Sequence, residues 1–193
     1  VEVQRMLLVG VMISFVTSSA VLFIEAVAHP EDLQKIILWS MGSLTQSDTG
    51  MVIGMAVLSL LLLVTSCLFA TPMNAMRLGL RGAGHLGLDT RRTVRWLFVI
   101  SSFATGCSIA VAGVIGFVGL VIPHVVRLTI GNDYRVVIPA SFLLGGLFLL
   151  LCDLVARTII APNELPIGVI TGILGGLLFI LLLTRPRSRK PLL

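Results

Sequence analysis

Apolar residues fill this chain in blocks that are too long for the alternation of a strand and too evenly apolar for one buried helix face. Read between charges, prolines and glycines, they predict six membrane-spanning helices at residues 6–27, 51–70, 96–115, 118–130, 136–156 and 167–184. Helix is the required form because every backbone N–H and C=O in hydrocarbon must find its partner within the segment. A core ~30 Å thick takes ~20 helical residues per crossing. The fourth block is short and contains Pro123 and His124. Were it only to dip into the membrane, Arg135 and everything after it would change sides. Residues 31–39 are amphipathic and too short to cross, which predicts an interfacial or re-entrant helix with Gly42 and Ser43 beginning the return. The stretch 72–92 is basic and Gly-rich, with short helical turns predicted at 75–80 and 82–86. The expected fold is all-α, one polytopic transmembrane domain over residues 1–193.

Composition removes the competing classes. The 193 residues are 56% hydrophobic and 12% charged, with a mean hydropathy of +1.06, which excludes both a water-soluble globule and a disordered chain. The first apolar block has the length of a full span with no small-residue cleavage site after it, unlike a signal peptide. The chain opens on Val1, which suggests the later part of a longer protein.

A net charge of +5 could indicate a nucleic-acid surface, so the placement of the 14 basic residues decides the matter. With the amino end inside, one side collects Arg5, Arg77, Arg81, Arg91, Arg92, Arg95, Arg127, Arg135, Arg185, Arg187, Arg189 and Lys190; the other holds Lys35 and Arg157. Short loops rich in Lys and Arg stay in the cytoplasm. The charge is thereby explained as topology, with no nucleic-acid partner, both chain ends cytoplasmic, and Lys35 and Asn163 facing out. The basic tail at 185–190 reads as an anchor against anionic membrane lipid.

Few residues offer chemistry. Cys67, Cys107 and Cys152 lie in apolar runs at no metal or disulfide spacing and read as packing residues. His29, His85 and His124 fall in separate segments, so neither a metal site nor a bound cofactor is expected. His124 itself is open to two readings, a hydrogen-bonded helix-end residue or a proton relay. No nucleophile elbow, P-loop or dinucleotide fingerprint occurs, so the chain is not read as an enzyme, and uphill transport would need an ion gradient or a partner. Gly168, Gly172 and Gly176 recur every four residues in the last block, as do Gly50 and Gly54 in the second. Such stripes let helix backbones approach closely. Asp153 and Arg157 stand four apart on one helix face, either as a structural ion pair or as a docking or substrate site. Between the second and third blocks, Leu78, Gly79, Ala83, Leu86 and Gly87 suit either a rigid docking knob or a solvated basic loop.

Several separated strings coincide with one family. Residues 116–127 (GFVGLVIPHVVR), 154–157 (LVAR), 164–171 (ELPIGVIT) and 39–44 (WSMGSL) resemble the FecCD-type permeases of bacterial ABC importers, which take up iron-siderophores, haem and cobalamin. The order and spacing match from end to end, and the chain resembles the last six spans of a subunit with about ten. The resemblance implies a bacterial inner-membrane homodimer of permeases without catalytic residues of its own. It also implies cytoplasmic ATP-binding subunits and a periplasmic or lipid-anchored substrate-binding protein. Leu78, Gly79, Ala83, Leu86 and Gly87 then fall in the loop that couples to the ATPase. Here Leu80, Arg81 and Gly82 replace the acidic residues that commonly follow the Leu-Gly pair. Arg157 matches an outward-facing arginine that meets the binding protein, and Ser14, Ser18 and Ser19 become candidates for the wall of the translocation path. An ion-coupled secondary transporter using His124, Asp153 and Arg157, or a structural membrane subunit that transports nothing, are the competing readings.

Overall fold

The structure, a computed structural model, describes residues 2–45, 48–159 and 165–184. Asn163, Glu164 and the basic tail at 185–190, each given a place by the sequence, lie outside the described residues. Among the described residues every regular element is helical: α1 Glu2–Val27, α2 Pro30–Ser40, α3 Thr49–Leu68, α4 Ala70–Met76, α5 Leu80–His85, α6 Thr90–Ala112, α7 Val118–Thr129, α8 Tyr134–Thr158 and α9 Ile167–Thr184. By their internal contacts they group into two compact units that divide between Ser40 and Met41.

The first unit holds α1 and α2. From Leu7 to Val27, α1 is long and apolar enough to cross a membrane. Pro30 opens α2 with its fixed φ, where the missing N–H costs no hydrogen bond, and Glu31 and Asp32 follow in the first turn, favourable to the helix dipole. Lys35 pairs with Asp32 at 3.1 Å on the exposed side of α2.

The second unit begins with the return from α2. Asp48 caps α3 by accepting from Gly50 N at 2.9 Å, and the helix ends at Phe69, where α4 starts at once. The second span is therefore Thr49–Leu68 instead of 51–70, and the short helices fall at Ala70–Met76 and Leu80–His85 instead of 75–80 and 82–86. Gly79, at φ +90, sets the break between them. Helix α6 starts six residues before the predicted 96 because Asp89 accepts from Arg92 N at 3.0 Å. Its first turns carry Arg91, Arg92 and Arg95, against the helix dipole, a placement that anionic headgroups would offset. Gly113, at φ +70, ends it.

Among the described residues four helices are long and apolar enough to span: those beginning at Leu7, Thr49, Thr90 and Tyr134. The blocks predicted fourth and sixth form shorter apolar helices. Twelve residues of α7 cover ~18 Å, yet α7 still carries the chain from one end of the unit to the other. Hydrogen bonds from α4 reach residues 132–134 and bring the α7–α8 turn to the end where α3 meets α4. At the opposite end, Ser43 N donates to Ala112 O at 2.9 Å and Gly168 N to Met41 O at 3.1 Å. The unit thus has an arginine-rich end, with α4, α5 and the α7–α8 turn, and an opposite end where α6 stops and α9 begins.

Two small cores hold it together. Ile122, Val126 and Val137 join α7 to α8, with Val118, Ala140 and Phe148 against them. Cys152, Ala156, Ile167 and Ile170 join α8 to α9, so Cys152 is a packing residue.

Candidate functional site

At the arginine-rich end, α4 and α5 are helices of seven and six residues, too short to hold their shape without outside support. The support is a set of hydrogen bonds from one face of α4. Thr71, Asn74 and Arg77 recur every three residues, so they lie one above another on that face. Asn74 Nδ2 donates to Asp133 Oδ1 at 2.6 Å, while Asn74 Oδ1 accepts from Tyr134 N at 3.0 Å. Arg77 Nη1 donates to Asn132 O at 2.9 Å, and Arg135 Nη2 donates back to Thr71 Oγ1 at 3.3 Å.

Asp133 does two jobs at this point. It is the N-cap of α8, accepting from Arg135 N at 2.9 Å, and it receives Asn74. The amide of Arg135 and then the amide of Asn74 hold its carboxyl below the usual value of 3.8, with the Arg135 and Arg77 charges adding to the effect against a small cost of desolvation.

From this base the knob projects. Ala83 is fully buried and fixes α5, whereas Leu78 and Leu86 are 71% and 63% exposed. Gly79 and Gly87 take φ of +90 and +78, conformations that only glycine adopts freely. A Cβ built at either would meet no atom within 4 Å beyond its chain neighbours. The five residues named by the sequence for this loop are thus brought together, with two leucines outward, one alanine inward and two glycines at the bends.

A cleft of about 680 Å³ is walled by α3, α4, α6, α7 and α8, with Ser66, Met73, Phe98, Arg127, Tyr134 and Ser141 among its lining. Arg127 lies over the Tyr134 ring at 5.4 Å. Ser141 Oγ is buried with no hydrogen-bond partner among the described residues.

Near the far end of α8, Arg157 Nε donates to Asp153 Oδ2 at 2.8 Å, with the two side chains 39% and 24% exposed. The ion pair is thus formed, with both side chains partly exposed. In the first unit, Ser14 and Ser18 share a face of α1 and Ser19 stands beside them, all exposed. Ser14 Oγ donates to Gly10 O at 2.9 Å, so its hydroxyl is partly spent on its own helix. Among the described residues no group of three or more His, Cys, Asp or Glu could hold a metal ion.

The glycine stripe of α9 separates on inspection. Gly168 presses on Met41 O and Val114 O, where a Cβ would overlap the backbone. Gly172 faces open space, and Gly176 has only the tip of Phe117 at 3.9 Å from a built Cβ. The second close approach belongs to Gly175, whose Cβ would meet Phe117 Cβ at 2.5 Å. Phe117 is the one non-glycine residue at positive φ among the described residues, at +65, and it starts α7. Gly50 and Gly54 of α3 likewise pack on no neighbouring helix.

Known proteins share the family and the fold of this chain. The chain matches the FecCD transport family over residues 1–185. It is 37% identical to the hemin transport system permease protein HmuU of Yersinia pestis over 98% of this chain and 57% of that protein. To the vitamin B12 import system permease protein BtuC of Klebsiella pneumoniae it is 38% identical, over 96% of this chain and 56% of that protein. Among solved structures, an inward-facing metal-chelate type ABC transporter superposes with a TM-score of 0.85 at 30% identity, covering 93% of this chain and 58% of that one. The chain spans about half the length of the curated relatives it matches. With helices as the regular elements of its described residues, four of them long and apolar enough to cross a membrane, and with residues 1–185 matched, the chain belongs to the FecCD transport family.

Proposed function

We propose that this chain forms one transmembrane domain of the permease subunit of an ATP-driven importer, in the plasma membrane of a bacterium. Its cargo is of the class named for its relatives, haem, a corrinoid or another metal chelate such as an iron-siderophore. The arginine-rich end faces the cytoplasm, as the twelve-to-two division of Lys and Arg argues. Both termini of the chain lie on that side.

The observation that carries this reading is the knob. Two short helices, anchored by Ala83 and by the hydrogen bonds of Asn74 and Arg77, present Leu78 and Leu86 to solvent. An exposed pair of leucines on a rigid, basic projection is suited to a groove on a partner that lacks an apolar core of its own at that point. The partner is the ATPase, and two copies of the permease share a pair of them. At the other end, Arg157 meets an acidic residue of the substrate-binding protein, and α1, with Ser14, Ser18 and Ser19, contributes to the translocation path.

The test uses a complete transporter carrying this chain. Leu86→Glu removes an apolar anchor that is 63% exposed and therefore leaves insertion intact. Gly87→Leu adds bulk where no atom lies within 4 Å of a built Cβ and, at φ +78, also strains the bend that sets the knob. Both variants are expected to insert normally while ATP hydrolysis loses its dependence on the permease. Normal coupling in both would return the loop to a solvated basic segment.

A further inference from the structure

We propose that Asn74 and Asp133 form a clasp that passes motion of the α4–α5 knob into α8, with Asn74 as the positioning residue of the coupling. The inference rests on the docking reading above.

The geometry of Asn74 admits one orientation. Tyr134 N can only donate and an ionised Asp133 can only accept, so the amide oxygen faces Tyr134 and the amide nitrogen faces Asp133. Tyr134 is the first residue of α8, and its N–H has no partner inside the helix. Asn74 therefore caps α8 from another helix, while Asp133 caps it from within the chain. One side chain is joined to the two groups that define where α8 begins.

Three residues on a single face of α4 grip residues 132–135, so α4 cannot slide past the turn without breaking the contacts of Thr71, Asn74 and Arg77. Beyond the turn, α7 and α8 are locked by Ile122, Val126 and Val137. A displacement of the knob therefore moves the start of α8. That helix is 25 residues long, ~37 Å, and bears Asp153 and Arg157 toward its other end. The clasp connects the ATPase-facing knob to the helix that carries the binding-protein-facing arginine.

Near-isosteric exchanges test it. Asn74→Asp keeps the acceptor toward Tyr134 N but turns donor and acceptor at Asp133 into two facing carboxylates. Asp133→Asn keeps an effective N-cap and an acceptor for Asn74. The double exchange, Asn74→Asp with Asp133→Asn, restores donor to acceptor with the roles reversed. Each is placed in a complete transporter whose native cysteines are replaced and whose exposed Thr158 is changed to Cys. Two quantities are read: co-purification of the ATPase, and the change in thiol-labelling rate at position 158 between nucleotide-free and ATP-vanadate states.

The expected result is that Asn74→Asp still binds the ATPase but shrinks the nucleotide-linked labelling change on the order of tenfold, the scale of a lost hydrogen bond to a charged group. Asp133→Asn, which keeps both acceptor contacts but loses the charge, shrinks the change less than Asn74→Asp, and the double exchange recovers it. A docked Asn74→Asp complex with the full change, or a docked double exchange without recovery, overturns the clasp and leaves the docking reading standing. Failure of the parent permease to hold the ATPase overturns both. Should Asn74→Asp block insertion, Asn74→Ala removes both bonds without adding charge, and the full change in its docked complex is equally decisive against the proposal.

Discussion

The approach of Met41 O to Gly168, tighter than that at any other described glycine, gives a prediction that separates two glycines of one stripe. Gly168→Ala would place a methyl group into Met41 O and 2.9 Å from Val114 O. Neither carbonyl is the end of a flexible side chain, so relief requires the start of α9 to back away. That movement also stretches the Gly168 N to Met41 O hydrogen bond of 3.1 Å. Overpacking costs ~1–3 kcal/mol and leaving a buried backbone group unpaired a further ~1–3, while the higher helix propensity of alanine returns up to ~1. The net loss is therefore ~1–6 kcal/mol, roughly fivefold to more than ten-thousandfold in the folding equilibrium. Gly172→Ala, four residues on, meets nothing within 4 Å and gains up to ~1 kcal/mol of helix propensity. The assay is reversible unfolding of the complete permease in mixed micelles, with each variant compared to the parent at one detergent composition. A Gly168→Ala variant as stable as the parent, or a Gly172→Ala variant that loses more than Gly168→Ala, would refute the interlock of residues 41, 114 and 168.

Three further outcomes are expected. Arg157→Glu in the full complex should slow association with the substrate-binding protein about tenfold at low ionic strength and converge on the parent as salt rises, because a rim charge acts mainly on encounter; association kinetics across a salt series read this, and a salt-independent defect would assign the arginine to its own helix. Acid should weaken the turn before α8: the carboxyl of Asp133 is held below 3.8, so its contribution is complete above that value and is lost as pH falls through the lowered one. The stability difference between the parent and Asp133→Asn should therefore be flat near neutral pH and narrow only in strong acid; a difference that widens on acidification would contradict the sign. An impermeant thiol reagent applied to intact cells should label a cysteine at position 35 and spare one at position 85, and labelling at 85 would reverse the orientation.

What could be read from the sequence divides along the kind of force involved. Apolar blocks are legible because lipid demands long helices, so α1, α3, α6 and α8 follow from hydropathy. Their ends do not, since a cap is set by one side chain in polar surroundings: Asp89 starts α6 well before its apolar run, and the corner at Phe69 is hidden because Ala70 continues the apolar pattern. The same divide runs through the site. Leu78, Gly79, Ala83, Leu86 and Gly87 are neighbours in the chain, so their residue types suggest a knob before any fold is known. Asn74 and Asp133 are 59 residues apart, and no periodicity joins them; the one available signal is an aspartate placed to cap a helix, which marks Asp133 but not its partner.

Glycine spacing fails for a further reason. Four-residue repeats identify a face of α9 but cannot say what approaches it, and the approach is made by backbone carbonyls of Met41 and Val114, which leave no side-chain signature. The contact actually recurs at Gly168 and Gly175, two turns apart, which keeps the same face nearly in line. Gly172 lies off that line. The residue that fills the second position is Phe117, held at φ +65, a conformation costly for a bulky side chain. Its Cβ and Cγ are carried against Gly175, where a Cβ would obstruct them, while the ring tip stands at ordinary contact distance from a Cβ built at Gly176. Glycine in α9 and strain at the start of α7 are thus two halves of one contact, and only the glycine half is written in the composition.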